Sequence, residues 1–313
     1  MGEIIEFYNK DYKEAYIDKR REGGSNPSLK DNGRVLFRRS APFERELQKD
    51  LYDFSASEII EFYKSLFSSS LESLMVMNNQ YKIYTDDALS NGLVRDNQNH
   101  YAEIDLKILN SCVNTRLLND KIVTREQLIN VLNDGAAVEN VSDKVLALAI
   151  FEGIGGKDLI ELSSLEPEDI NQQTNMVSLS TGRELEISDQ LKYWCLDSAD
   201  EYTYYNSNSV AKNKKYIDTD TRVLKRLGNS TVDSPLRRHR SLCRRLDFLN
   251  DVTNQQFFGV GSLKESGRID MVKQLVDKGM PLEKALKDKD MEYRYGIVSS
   301  PKRYILKFGN ILS

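Results

Sequence analysis

A run of arginines gives this sequence its clearest chemical signal. Nine positions hold five of them: Arg237, Arg238, Arg240, Arg244 and Arg245. Leucines at 236, 242, 246 and 249 recur along one side of a helix, so the arginines fill the other side. No acidic residue lies between Asp233 and Asp247 to pair with them locally. Because guanidinium groups bind phosphates through two parallel hydrogen bonds, the pattern favours contact with nucleic acid.

Charge is distributed unevenly along the chain, although the whole carries only −4. Residues 207–245 contain eleven Lys or Arg against three Asp, whereas residues 136–206 contain fourteen acidic against four basic residues. Such asymmetry is typical of a phosphate-binding face, and also of solvated faces that pair with each other. Beyond the arginine run, the basic residues that we expect to contact DNA are Arg34, Arg38, Arg39, Arg183, Lys212, Lys214, Lys215, Lys264 and Arg268.

Other chemistries find little support in the sequence. Three widely spaced cysteines and two histidines make neither a disulfide framework nor a zinc site, and we expect no metal and no cofactor. The glycine-rich stretches at 153–156 and 259–261 do not complete a nucleotide-binding motif. The longest apolar run, Val145 to Phe151, is far shorter than the ~20 residues of a membrane helix. Without a visible signal peptide, a reduced, cytoplasmic setting with no membrane contact is the simplest expectation.

Hydrophobic periodicity predicts a mainly helical protein in three parts. A helix and a flexible basic arm occupy residues 1–40, a helical domain covers 41–118, and a second domain covers 119–313. Capping boxes at Ser55 and Thr124 predict helix starts. A further helix is expected from Tyr101 to Leu118. In the second domain we expect a buried helix at 145–151, a β-hairpin formed by 176–179 and 184–187, and helices at 189–202, 218–227, 236–249, 269–277 and 282–287.

The order of these elements resembles that of the tyrosine recombinases, the phage integrase family. The segment from Ala147 to Leu162 is similar to their first signature box, in which a glycine-containing turn follows an apolar run and Glu-Leu ends the box. The segment from Gly261 to Lys264 is similar to the second box, His-x-Leu-Arg. The resemblance spans about residues 41–310. It implies a two-lobed integrase-like fold, mainly α with a small antiparallel β-sheet, in which a core-binding lobe (41–118) and a catalytic-like lobe (119–313) clamp duplex DNA.

The resemblance also implies that the cleavage chemistry is lost. The two arginines that hold the scissile phosphate in the family fall on Gly155 and Lys264, and the histidine of the second box falls on Gly261. Arg183 corresponds to the hairpin lysine, but a guanidinium does not deprotonate and cannot act as a general acid. The nucleophile would be one of three tyrosines, of which Tyr304 has the matching local pattern: Tyr293, Tyr295 and Tyr304.

We therefore expect a sequence-specific binder of double-stranded DNA that does not cut it. The resemblance implies a prophage repressor, associated with the nucleoid in the cytoplasm of a bacterial host, that maintains lysogeny by silencing lytic genes. Its expected partners are an operator and a small phage or host regulatory protein. Two alternatives stay open: an active recombinase with displaced catalytic residues, and an adaptor whose acidic segment 136–206 binds another protein.

Overall fold

A computed structural model describes residues 6–22, 28–205, 214–216, 220–227 and 234–312. The chain divides into two compact units, residues 1–118 and 119–313. Most of the described residues are helical, and the strands form two antiparallel pairs. The predicted fold class, mainly α with a small antiparallel sheet, is confirmed.

The first unit is a bundle of helices around an aromatic core. Tyr81, Tyr84 and Phe62 are fully buried, and their rings lie against further aromatic side chains. Ser55 caps one helix through the capping box with Glu58 that the sequence predicts. The helices are α1 (Lys10–Glu22), α2 (Ser28–Leu47), α3 (Ala56–Ser65), α4 (Leu71–Ser90), α5 (Leu106–Ser111) and α6 (Thr115–Asn119), with 3₁₀ turns at Leu51–Asp53 and His100–Ala102.

The prediction of a flexible basic arm is wrong for the described residues from Ser28 onward, which form helix α2. This helix begins at Ser28, runs through the three basic residues assigned to the arm and includes Pro42. The helix persists because Phe37, Ala41 and Glu44 recur at three- and four-residue steps and are all buried. Residues 23–27 of the predicted arm lie outside the described residues.

The prediction of one continuous helix from Tyr101 to Leu118 is also wrong, because two polar side chains within this range each begin a new helix. The Asp105 carboxylate accepts a hydrogen bond from the backbone N–H of Ile108 at 2.8 Å and begins α5. The Asn114 side-chain oxygen accepts one from the N–H of Leu117 at 3.0 Å and precedes α6. Each side chain satisfies a backbone donor that a continuous helix would have used itself.

The second unit is organised around α8 (Val141–Phe151), whose residues Val145–Phe151 are at most 2% exposed. Helices α10 (Asp189–Asp200), α11 (Pro235–Thr253) and α12 (Val260–Asp277) pack against it. The hairpin of β1 (Met176–Ser178) and β2 (Glu184–Glu186) matches the predicted one, with Val177 opposite Leu185. The helices are α7 (Arg125–Leu132), α8 (Val141–Phe151), α9 (Ile160–Ser163), α10 (Asp189–Asp200), α11 (Pro235–Thr253), α12 (Val260–Asp277), α13 (Leu282–Ala285), α14 (Lys289–Tyr295) and α15 (Pro301–Leu312), with 3₁₀ turns at Lys157–Leu159 and Pro167–Asp169.

Helix α12 begins nine residues earlier than the predicted start at Ile269, so the glycine-rich stretch there is its first turn rather than a loop. Its burial explains the early start, because Leu263 and Gly267 face α8. A Cβ atom at Gly267 would lie 1.7 Å from the carbonyl oxygen of Phe151, so only glycine allows the two helices to approach this closely.

The expected helix at 218–227 is wrong for the described residues 220–227. The Asp220 carboxylate accepts hydrogen bonds from the backbone N–H of Arg226 at 2.8 Å and of Arg222 at 3.4 Å, which takes away donors that a helix needs. A second hairpin, which the sequence did not predict, lies nearby. Strand β3 (Thr203–Tyr204) pairs with β4 (Lys214–Lys215), and Tyr216 forms a β-bridge with Leu227.

Candidate nucleic-acid interface

Helix α11 carries the arginine run, and Ser234 caps its start by accepting a hydrogen bond from the N–H of Arg237. Arg237, Arg240 and Arg244 are exposed and follow each other at three- and four-residue steps, so they share one face. Leu242, Leu246 and Leu249 are buried on another face. We call the three exposed arginines the arginine stripe. Among the described residues, none of the three has an ion-pair partner.

The other two arginines of the run face the protein. Arg238 is half-buried, and its Nη1 donates to the carbonyl oxygen of Ser163 at 3.0 Å. Arg245 is only 6% exposed, and its guanidinium donates to Asp143 Oδ1 and to Ser142 Oγ, each at 2.6 Å. The prediction that Arg245 is an unpaired, DNA-facing arginine is therefore wrong. Its acidic partner, Asp143, is about one hundred positions away in the sequence, so the residues next to Arg245 do not indicate the pair.

A cavity of about 220 Å³ in the second unit is lined by five residues that the resemblance singled out: Gly155, Arg183, Lys264, Tyr293 and Tyr295. The loop between α8 and α9 forms one wall, and α12 and α14 form others. Gly153 and Gly156 in this loop have positive φ angles of 89° and 68°, which favour glycine. Arg294 also lines the cavity and donates from Nη1 to the carbonyl oxygen of Glu152.

Arg183 crosses the cavity wall with every one of its N–H groups engaged. A guanidinium has five N–H donors. Arg183 donates hydrogen bonds from Nε and Nη2 to the Glu161 carboxylate. Its Nη2 donates a second hydrogen bond to the carbonyl oxygen of Gly153 at 3.0 Å. Its Nη1 donates to the carbonyl oxygens of Tyr293 at 2.8 Å and Arg294 at 3.2 Å. Arg183 stays charged, as expected. Its hydrogen bonds hold three segments of the chain together and leave no N–H group for the phosphate contact that was expected of it.

Glu161 supplies the anion beside Arg183. Its side chain is 1% exposed and accepts hydrogen bonds from Arg183 at 2.8 and 2.6 Å, from Thr181 Oγ1 at 2.5 Å and from the N–H of Gly155 at 2.9 Å. Burial acts to raise the pKa of Glu161, but the hydrogen bonds from Arg183, Thr181 and Gly155 outweigh it and hold that pKa below its usual range. Glu161 belongs to the Glu-Leu pair that ends the first box, but the sequence does not predict that it pairs with Arg183.

Lys264 is the cavity cation that keeps its charge exposed. Its side chain lies at the surface, and among the described residues it has no ion-pair partner. The pKa of Lys264 is lowered because part of the side chain leaves water and because Arg268 lies near it. Arg268 itself is half-buried, donating to Glu265 at 3.0 Å and to the carbonyl oxygen of Tyr295 at 2.6 Å.

The three candidate tyrosines occupy different environments. Tyr304 is 9% exposed and donates its hydroxyl hydrogen to Glu265 Oε1 at 2.5 Å. Burial and the negative charge of Glu265 raise the pKa of Tyr304 far above its usual range. Tyr295 is buried and donates to the carbonyl oxygen of Phe151, whereas Tyr293 is 50% exposed. Tyr293 and Tyr295 line the cavity, and Tyr304 is not among its lining residues.

The remaining predicted residues are dispersed. Gly261 lies in the first turn of α12 with open space beside it. Arg38 and Arg39 are exposed on α2, whereas Arg34 is half-buried and pairs with Glu14 at 2.6 Å. Lys212 lies outside the described residues, and for Lys214 and Lys215 only the backbone of β4 is described.

Metal-ligand clusters and membrane-spanning helices do not occur in the described ranges. No group of three or more potential metal ligands occurs among the described residues. None of the described helices combines the length and apolarity needed to cross a membrane.

Comparison with known proteins places the chain in a family. Residues 7–88 match the family model of the MrpR N-terminal core-binding domain, and residues 122–311 match that of the MrpR C-terminal catalytic domain. The SPβ prophage-derived uncharacterized protein YopR of Bacillus subtilis (strain 168) is 26% identical over 212 residues, which cover 66% of this chain and 62% of YopR. A crystal structure of XerA recombinase aligns over 95% of this chain and 92% of its own, with 12% identity and a TM-score of 0.38. Since the C-terminal model alone covers more than half of the chain, the protein belongs to the MrpR family and has its core-binding and catalytic domains.

Proposed function

We propose that this protein binds specific sites on double-stranded DNA without cutting them and acts as a transcriptional repressor of a prophage. The membership in the MrpR family and the similarity to a protein of prophage SPβ support a phage-related role. In this proposal the protein maintains lysogeny by silencing lytic genes at operators in the bacterial host. A small phage or host protein that relieves this repression would be its second partner.

The observation that carries DNA binding is the arginine stripe of α11. Three exposed guanidinium groups on one helical face, without ion-pair partners among the described residues, suit the chemistry of a phosphate backbone. A helix of this kind is also narrow enough for the major groove. Phosphate contacts fix orientation, so base-specific contacts must come from neighbouring side chains.

Several features of the second unit support the proposed absence of cleavage. Gly155 and Gly261 have no side chain to contact a phosphate, and Arg183 has all five donors engaged within the protein. A cationic contact to a transferring phosphoryl group can be worth ~10³–10⁵ in rate. Tyr304, the tyrosine with the recombinase-like pattern, is buried and bonded to a carboxylate, which disfavours the phenolate. Binding can survive these losses because it needs only the exposed cations.

Sequencing the DNA that is bound to the protein in cells tests this proposal. A repressor should be recovered on several discrete sites that share a sequence and lie near promoters. Deleting the gene should raise transcription from those promoters. Recovery of a single attachment site, with unchanged transcription, would instead support an active recombinase. Recovery of no DNA above background would favour the protein-binding adaptor.

A further inference from the structure

Three ionisable side chains meet in the core of the first unit, away from the cavity and the arginine stripe. Lys13 of α1 and Glu44 of α2 are 0% exposed, and Asp50, just before the first 3₁₀ turn, is 3% exposed. Lys13 Nζ donates a hydrogen bond to Glu44 Oε1 and lies 3.6 Å from Asp50 Oδ2. Two carboxylates thus share a single buried ammonium group.

Among the described residues, the surroundings of this cluster add hydrogen bonds but no second cation. Glu44 also accepts hydrogen bonds from Ser40 Oγ at 2.9 Å and from the N–H of Leu51 at 3.0 Å. Asp50 Oδ1 accepts one from the Tyr84 hydroxyl at 3.0 Å, whereas Asp50 Oδ2 makes no hydrogen bond to the described residues, although the Asn9 side chain and the Tyr52 N–H also act to lower the pKa of Asp50. The described titratable groups that face the cluster are phenols, from α4, the two 3₁₀ turns and the segment before α1: Tyr52, Tyr81, Tyr84 and Tyr101 near the carboxylates, and Tyr8 near Lys13.

The charge balance of the cluster requires a proton. With both carboxylates ionised, the cluster would hold a net negative charge out of contact with water, which is strongly unfavourable. One proton shared by Glu44 and Asp50 makes the cluster neutral and supplies a donor at the carboxylate edge that lacks one. We propose that the Lys13–Glu44–Asp50 cluster is a buried proton-binding site that makes the stability of the first unit depend on pH around neutrality.

The direction and size of this dependence follow from linkage. Burial raises the pKa of Glu44 to about 7, although Lys13 acts to lower it, and burial raises the pKa of Asp50 as well. A carboxyl whose pKa is higher in the folded state than in the unfolded state binds its proton more tightly when folded. The stability is therefore greatest at low pH and falls as the pH rises through the folded pKa. For a rise from 4.5 to about 7, the opening equilibrium of the first unit should increase about 30-fold between pH 5.5 and pH 8.

Hydrogen exchange of the full chain can measure this change locally. Peptides from α1 and α4 report the opening of the first unit, once the intrinsic effect of pH on amide exchange is removed. We expect their protection to fall about 30-fold from pH 5.5 to pH 8 in the wild type, and less than about threefold in Glu44→Gln, where the cluster is neutral without a proton. Glu14→Gln is the matched control: it removes a half-exposed partner from a different α1–α2 ion pair, with Arg34, and should keep the wild-type dependence.

Asp50→Asn provides a second test, because it also removes one buried negative charge and should flatten the pH dependence. A direct test on the wild type is an NMR titration of the side-chain carboxyl carbons. In the wild type it should reveal a carboxyl that titrates near neutrality. This titration should be absent from Glu44→Gln and from Asp50→Asn. The proposal is wrong if every carboxyl of the wild type titrates at its ordinary pKa. It is also wrong if protection in the first unit does not change between pH 5.5 and pH 8.

Discussion

Removing the arginine stripe should change how DNA binding responds to salt. Each phosphate contact contributes ~0.9 to the slope of log affinity against log salt concentration. If Arg237, Arg240 and Arg244 each contact one phosphate, their replacement by Gln should reduce the slope by about 2.7. Over a fourfold increase in salt, for example from 50 to 200 mM, wild-type affinity should then fall about 40-fold more than that of the triple variant. Fluorescence anisotropy with a labelled duplex, measured at several salt concentrations, gives both slopes.

The control must remove the same charge elsewhere on the same unit. Lys278, Lys287 and Lys289 are exposed, and replacing all three by Gln also removes three positive charges. This control should weaken binding slightly through the overall field but leave the slope nearly unchanged, because counterion release requires close contact. Circular dichroism should show that both variants are folded, since the stripe makes no ion pair within the described residues. Equal slopes for wild type and the stripe variant would refute the assignment of α11 to DNA.

Substitutions at three other positions test the second unit. Arg183→Gln leaves the buried Glu161 without its cation and should reduce the free energy of unfolding by about 3 kcal/mol, as measured with denaturant, while the salt slope of DNA binding stays unchanged. A lower slope would mean that Arg183 contacts DNA. Lys264→Ala should weaken binding to operator and non-operator DNA by a similar factor, whereas Lys264→Arg should retain it, because a contact to one phosphate carries no sequence information. If Lys264→Ala binds both DNAs as the wild type does, the second box is wrongly placed. Gly267→Ala would bring a Cβ within 1.7 Å of the Phe151 carbonyl oxygen, so it should lower the melting temperature strongly. An unchanged melting temperature would contradict the close packing of α12 on α8.

Local signals in the sequence predict much of the fold. The capping box at Ser55, the buried run at 145–151 and the hairpin at 176–187 depend on neighbouring residues, and the structure contains all three. The errors lie where distant parts of the chain, or single polar side chains, decide the conformation. The segment at 218–227 has helical periodicity, but the Asp220 carboxylate takes its backbone donors. The basic stretch around Arg38 is polar like a loop, yet the packing of Phe37 and Glu44 makes it a helix.

The candidate site is predictable in composition but not in pairing. Spacing alone places Arg237, Arg240 and Arg244 on one helical face, and the structure exposes all three. Nothing near Arg245 indicates that Asp143 lies beneath it, because α8 and α11 meet only in the folded unit. The resemblance to recombinases singles out Arg183 and Lys264, and in the structure both line one cavity. Only the hydrogen bonds in the structure show that Glu161 and three carbonyl oxygens accept all the N–H groups of the Arg183 guanidinium.

The central claim, binding without cleavage, is tested most directly with a nicked duplex that traps any covalent protein–DNA intermediate. The duplex should contain a site recovered from cells, and the wild type should be compared with Tyr304→Phe. We predict that both proteins bind the duplex with nearly equal affinity and that neither forms a covalent adduct. A phosphotyrosyl adduct of the wild type, absent from Tyr304→Phe, would show that the protein is an active recombinase.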